Sequence, residues 1–138
     1  MTSSADQPAS AGALSHLRVL DLTGPLGQMC ARVFGDMGAE VIKVEPPGGD
    51  PARGIPPFAG DRPGPDRSLV FMDRNRGKKS VILDLANEDG REKVRALAAR
   101  VDVVVEDSQP GTLAAIGLGF DPLSQANAGL VYVSITAF

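Results

Sequence analysis

Residues 17–45, LRVLDLTGPLGQMCARVFGDMGAEVIKVE, carry the pattern that decides the fold: an apolar run, a glycine-bearing turn, a helical pattern and a second apolar run. Leu17–Leu22 and Val41–Val44 are nearly continuous in Val, Ile and Leu, as strands buried on both faces are. Between them GQMCARVFGDMG places Met29, Cys30, Val33, Phe34 and Met37 on one helical stripe, the expected buried face. The alternation continues downstream, where Val81–Leu85, Val103–Val105 and Leu130–Ile135 read as strands. Asn87 is a good helix N-cap, Glu88 and Asp89 suit the positive start of a helix, and Val94, Leu97, Ala98 and Val101 give it a buried face. Two shorter helices are expected near Thr112–Ile116 and Pro122–Ala126. Strand–helix alternation of this kind predicts an α/β, Rossmann-like domain with a mostly parallel sheet and flanking helices.

Outside this pattern, composition sets bounds. A chain of 138 residues is one ordinary domain, and 43% hydrophobic with 22% charged residues is the composition of a globular protein. Fourteen Lys and Arg against 17 Asp and Glu leave a net charge of −3, which argues against a nucleic-acid partner, because phosphate binding rests on concentrated positive charge. With one cysteine, Cys30, and one histidine, His16, the chain offers neither an intrachain disulfide nor a zinc cluster, and a reducing cytoplasmic location is expected. No apolar run approaches the roughly 20 residues that cross a bilayer, so no membrane partner is expected. Residues 1–15 are small and polar and read as a disordered tail, with the folded portion over residues 16–138.

One stretch breaks the rhythm. Residues 46–66, PPGGDPARGIPPFAGDRPGPD, hold seven of the eleven prolines, and read as a long, largely irregular loop. Such loops are either functional or simply flexible, and nothing in this one selects a chemistry. The turn after the first strand, with Gly24 and Gly27, stands where backbone N–H groups and a helix dipole hold phosphates. Its G-x-x-G spacing does not meet the G-x-G-x-x-G dinucleotide fingerprint, even though Glu45 occupies the place of a ribose-binding acid. Two readings of the turn stand: phosphate contact, or a plain chain reversal in which Gly27 packs helix on sheet.

Asp21, Glu45, Asp84 and Glu106 fall in or at the ends of strands, as cleft acids do, although acids that cap turns or face solvent occupy the same places. Arg74, Arg76, Lys78 and Lys79 put four positive charges before the third strand, either to bind an anionic cofactor or as a solvated approach to the strand. His16 reads as a surface residue, and Cys30 as a small buried hydrophobe without a visible base.

Taken in order, LRVLDLT, GAEVIKVEPPGGDPAR, NRGKKSVILDL, VDVVVEDSQPGTLAAIGLGFDPL and LVYVSITAF resemble the N-terminal third of class III CoA-transferases, the family of formyl-CoA transferase and carnitine CoA-transferase, with α-methylacyl-CoA racemase a close relative. The resemblance covers residues 17–138. It implies a Rossmann-type domain that binds the adenosine and pyrophosphate of coenzyme A, without a metal, in subunits interlocked as a homodimer. It also implies transfer of CoA from an acyl-CoA to a carboxylic acid through a catalytic aspartate that forms a mixed anhydride and then a CoA thioester. That aspartate falls beyond Phe138 in the family pattern, so no catalytic residue is assigned here and a missing C-terminal half is expected. The CoA-contacting positions implied are Gly24, Pro25, Leu26, Gly27, Lys78, Lys79, Leu83, Asp107, Ser108, Gln109, Pro110, Gly111 and Ile116.

Two motifs depart from the family pattern. The first turn reads Leu26-Gly27-Gln28 where the family has A-G-P, and N-F-R-P-G reads Asp107-Ser108-Gln109-Pro110-Gly111. The second change removes an aromatic platform and an arginine, each worth on the order of 1 kcal/mol, and adds a negative charge. Three readings follow: an N-terminal portion of a CoA-transferase, a portion of a racemase that moves a proton beside a thioester carbonyl, or a non-catalytic nucleotide-binding or assembly module. Because no helix pattern follows Leu130–Ile135 to cover that strand, the isolated chain is expected to be marginal or to aggregate. A cooperative thermal melt of a monomer, measured by calorimetry with light scattering, would contradict this.

Overall fold

The computed structural model describes residues 12–137. Among them, β1 (Arg18–Leu22), β2 (Glu40–Glu45), β3 (Lys79–Ile82), β4 (Val103–Glu106) and β5 (Val131–Ser134) form one parallel sheet in the order β3-β2-β1-β4-β5. The strand order reverses at β1, between β2 on one side and β4 on the other. This is the switch point of an open α/β sheet, outside whose strand C-termini ligands bind. The expected fold class is the one observed.

Side chains alternate across the sheet. Leu20, Val44 and Val104 face a core completed by Val94, Ala98, Leu113, Leu118 and Leu123, contributed by helices α3 (Glu88–Ala98), α4 (Thr112–Ala115) and α5 (Phe120–Ala126) and the turn between the last two. Val19, Val41, Val103 and Val105 face the opposite way, onto Ala31 of α1 (Gln28–Asp36). Further along the same face the strands carry Asp21, Lys43 and Glu45, all buried. The α1 face of the sheet therefore changes from apolar at the strand N-termini to charged at the C-termini.

Several expectations need correction. The apolar stripe of α1 faces inward only in part: Cys30 and Phe34 pack partly against the second core, but Met29, Val33 and Met37 are 43, 51 and 44% exposed, while Gln28 and Ala31 are buried. The helix turns its polar Gln28 toward the charged end of the sheet, which rotates the methionines outward. Residues 12–15, expected in the tail, belong to the domain; Leu14 donates its N–H to the Met37 carbonyl at 2.9 Å and packs on the second core, whereas residues 1–11 lie outside the described residues. The third strand begins at Lys79 and ends at Ile82, because Asp84 closes a turn onto the Ala86 amide at 2.9 Å. On β5, an edge strand, Val131 is 55% exposed, while Val133 and Ile135 pack partly against the second core.

The sequence reading contained no helix between the long loop and β3, yet α2 (Leu69–Asn75) is there, with Ser68 Oγ accepting from Phe71 N at 3.1 Å. Asn87 caps α3 as expected, its side chain accepting from Gly90 N at 2.8 Å. A Cβ at Gly90 would run into the backbone carbonyl of Asp84, whereas one at Gly54 would meet open space. Helix propensity alone would make Gly90→Ala stabilising by about 1 kcal/mol. The collision predicts the opposite, a loss of about 2 kcal/mol or more in urea unfolding, with Gly54→Ala neutral or slightly stabilising.

Candidate functional site

The charged end of the sheet is held by a continuous buried network. Lys43 Nζ lies 2.9 Å from Asp50 Oδ2 and donates to the Thr23 carbonyl at 2.7 Å. Gln28 Nε2 donates to the same Asp50 oxygen at 2.9 Å, and Gln28 Oε1 accepts from Asn75 Nδ2 at 3.1 Å. Lys78 Nζ donates to Asp21 Oδ2 at 2.7 Å, to the Gln28 carbonyl at 2.8 Å and to Asn75 Oδ1 at 2.9 Å, which uses all three ammonium protons. Burial pulls the Lys78 ammonium below the ordinary lysine value, and Asp21 pulls it back up.

Glu45 forms the second half of the network. Its oxygens accept from Arg53 Nε at 2.7 Å and Nη2 at 2.8 Å, from Ser80 Oγ at 2.6 Å and from Asp50 N at 2.9 Å. Arg53 lies 3.8 Å from the centre of the Phe71 ring and donates to Asp66 at 2.7 Å. The loop over residues 46–66 is thereby fastened to the sheet, and it contains two short 3₁₀ turns, Pro51–Gly54 and Ala59–Asp61. The expectation of a largely irregular loop overlooked Asp50 and Arg53, whose buried partners order it. Among the described residues no buried side-chain polar atom lacks a hydrogen-bond partner.

Of the four acids at the strand ends, Asp84 is half-buried and caps the turn to Ala86, and the other three do not face solvent. Asp21, Glu45 and Glu106 are buried. Asp21 accepts from Thr23 N at 2.9 Å and Glu106 from Ser108 N at 2.8 Å, so the turn-capping reading describes them. Cys30 is half-buried; burial, with the Asp21 carboxylate, pushes its thiol up, away from the reactive thiolate.

A cavity of about 360 Å³ opens at the C-terminal ends of β1, β2 and β3, walled by Leu22, Val44, Leu83 and Leu85, with Gly24 and Ala86 at its edge. A second hollow of about 290 Å³ lies beyond β4 and β5, lined by Gln109, Pro110, Gly111, Phe120 and Tyr132. Burial pushes the Tyr132 hydroxyl up to about 12, and it donates to the Leu118 carbonyl at 3.1 Å.

The sequence-derived site residues are thus divided. Gly24 and Leu83 border the first cavity, and Gln109, Pro110 and Gly111 the second. Asp107 stands between them, its carboxylate accepting from Gly24 N at 2.6 Å and Gly27 N at 2.8 Å. Ser108 follows it in the turn, and Ile116 packs against the first core behind α4. Pro25 accepts from Arg74 at 2.9 Å, and Leu26 is 75% exposed. Lys78 is consumed by Asp21, and Lys79, at the N-terminal end of β3, pairs with Glu40 at 2.5 Å on the edge of the sheet away from both hollows. Neither Gly24 nor Gly27 adopts a positive φ; Gly27 is required by contact instead, since a Cβ there would sit 2.6 Å from Thr23 Cγ2.

This architecture can be set beside known proteins. The family described as CoA-transferase family III matches residues 14–138. The chain belongs to that family. It is 44% identical over 124 residues to a subunit of succinyl-CoA:(R)-benzylsuccinate CoA-transferase of Thauera aromatica, covering 90% of this chain and 30% of that protein. It is 45% identical to succinyl-CoA:mesaconate CoA-transferase of Haloarcula hispanica, with 92% and 32% covered. A crystal structure of a CAIB/BAIF family protein from Brucella suis superposes with a TM-score of 0.85 at 40% identity, covering 94% of this chain and 34% of that one. The chain therefore spans about a third of the length of the relatives it matches.

Lys43, Asp50, Gln28 and Asn75 were not singled out in the sequence. The signal for Lys43 was there: a charge inside the apolar run VIKVE has to be paired if the strand is buried. Lys43→Met strands Asp50 without its cation and is expected to cost about 3–5 kcal/mol. Glu45 supplies a pH test. Its hydrogen bonds to Arg53, with those to Ser80 and Asp50 N, hold it at about 2 against an ordinary 4.5. The ionised carboxylate therefore stabilises the fold above pH 4.5, by up to about 3 kcal/mol, and that contribution is lost as the pH falls toward 2. Urea unfolding at several pH values should show Arg53→Met less stable than wild type at pH 7 and the gap narrowing toward pH 2.

Proposed function

We propose that the chain is the CoA-facing N-terminal part of a cytoplasmic, homodimeric enzyme that moves CoA from an acyl-CoA donor to a free carboxylate. The observation that carries this reading is the family match over residues 14–138, together with the apolar cavity at the C-terminal ends of β1–β3. Ligands of open α/β sheets are received outside the carboxyl ends of the strands, and this cavity lies there, to the β2 side of the switch point at β1. At about 360 Å³ the cavity is at the small end for ligand pockets, which suits one moiety of CoA and not the whole molecule. Leu22, Val44, Leu83 and Leu85 supply apolar walls for that moiety, and Gln109, Pro110 and Gly111 border the second hollow, where a further part of the ligand would rest.

Lys78 is left out of the proposed contacts because its protons are already taken, and Lys79 because it lies at the far edge of the sheet. Asp50 and Asp84 border the cavity but are engaged, Asp50 with Lys43 and Asp84 with the Ala86 amide and Asn87, so neither is offered as a nucleophile. In this reading the chemistry belongs to a carboxylate outside the chain. It would attack the thioester carbonyl and expel CoA as thiolate, and the thiolate would then attack the enzyme carbonyl of the mixed anhydride and release the free acid.

The test is calorimetric titration with CoA. Saturable binding is expected, with Ala86→Trp, which fills the cavity edge, weakening it about tenfold or more at unchanged thermal stability. Absence of CoA binding by the wild-type protein, or equal binding by the tryptophan variant, would contradict the assignment.

A further inference from the structure

The turn between β1 and α1 already holds an anion, and that anion is part of the chain. Gly27, the N-cap of α1, has no side chain to accept from the free amides of the first turn. The Asp107 carboxylate reaches the turn that leads into the helix from across the switch point, one oxygen accepting from Gly24 N at 2.6 Å and the other from Gly27 N, the N-cap amide, at 2.8 Å. Asp107 directly follows β4, so this contact joins the C-terminal ends of β4 and β1, which lie side by side with Leu22 in register with Glu106. Among the described residues no Lys or Arg lies within ion-pair distance of Asp107. Its charge is met by the two amides and the positive end of α1. A Cβ at Gly24 would lie 3.6 and 3.7 Å from the two carboxylate oxygens, an ordinary contact, so the carboxylate sits against this turn without depending on a missing side chain there.

We propose that Asp107 is a specificity-determining residue that occupies the anion position of this turn and excludes ligand phosphate from it. The two N–H groups that would receive a phosphate have no capacity left, and a phosphate brought to them would meet a fixed negative charge at hydrogen-bond range. Any phosphate or pyrophosphate group of a ligand must then be received elsewhere along the strand ends. The proposal deepens the CoA reading and rests on it only for the identity of the ligand.

The experiment is a titration of the ¹⁵N-labelled protein, first with inorganic pyrophosphate and then with CoA, followed at the Gly24, Gly27, Leu85 and Ala86 amides. In the wild type the Gly24 and Gly27 resonances are expected to stay in place with pyrophosphate and to exchange slowly with solvent. CoA is expected to shift Leu85 and Ala86. Asp107→Asn replaces one accepting oxygen with an N–H₂ that faces an N–H, so both glycine amides should exchange about tenfold faster or more and should move on addition of pyrophosphate.

Movement of Gly24 and Gly27 in the wild type with pyrophosphate would show that the carboxylate yields to phosphate and would overturn the proposal. A folded Asp107→Asn protein whose glycine amides ignore pyrophosphate would overturn it as well. If the variant does not fold, the wild-type titration decides alone. Failure of the CoA reading is distinct, appearing as unmoved Leu85 and Ala86 in CoA, while the pyrophosphate arm still reports on Asp107.

Discussion

The ammonium of Lys43, in the middle of β2 and buried, must be paired where it stands, and most of the arrangement around it follows from that requirement. Its partner Asp50 comes from the loop after β2, so the loop must fold back over the strand ends. Asp50 in turn accepts from Gln28, which fixes the rotation of α1, and donates its N–H to Glu45, which brings in Arg53. Asp21 and Lys78 form the remaining pair and lock α2 to β1 through Asn75. Three acids and three bases are thereby neutralised within one contiguous cluster, with every member hydrogen-bonded. In such a cluster the loss of one member leaves a buried charge uncompensated, which is far more costly than the loss of a surface pair.

The network shapes the candidate site by occupying the charged groups a sequence reader would assign to ligands. Glu45, Lys78 and Asp21 are paired within the network, and the cavity wall at β1–β3 is left mostly apolar. On the other side of the switch point, Asp107 closes the first turn by the same logic of internal satisfaction. What remains for a ligand is apolar surface between two engaged acids and a second hollow beyond β4. That division separates residues which in sequence look like one contiguous set of CoA contacts.

Fold class was legible because the Val-, Ile- and Leu-rich runs at Leu17–Leu22, Val41–Val44 and Val103–Val105 are buried on both faces, a pattern few other elements share. The α1 stripe was misread because periodicity marks an apolar face without saying which way it turns; Gln28, drawn to Asp50, decided the rotation against Met29, Val33 and Met37. The helix Leu69–Asn75 escaped notice although Ser68 is a good N-cap, since it follows a proline-rich stretch. Gly24 was marked by the glycine-bearing turn after the first strand and Leu83 through family resemblance, and the structure places both beside the cavity. Lys78 and Lys79 are engaged with Asp21 and Glu40, and a charge cluster in sequence carries no information about which partners it already has. Pairings between Asp50 and Lys43, or Asp107 and the α1 turn, join residues far apart in the chain and have no local signature.

Buried ion pairs make the loop over residues 46–66 part of the sheet's cooperative unit. Native-state hydrogen exchange tests it most directly, at the Asp50, Ala52 and Arg53 amides, each of which donates to Glu45 or Asp50. These amides are expected to open only with global unfolding, at the same free energy as the Leu20 and Val104 amides of the central strands. Exchange of the loop amides at low free energy, with the strands still protected, would contradict it.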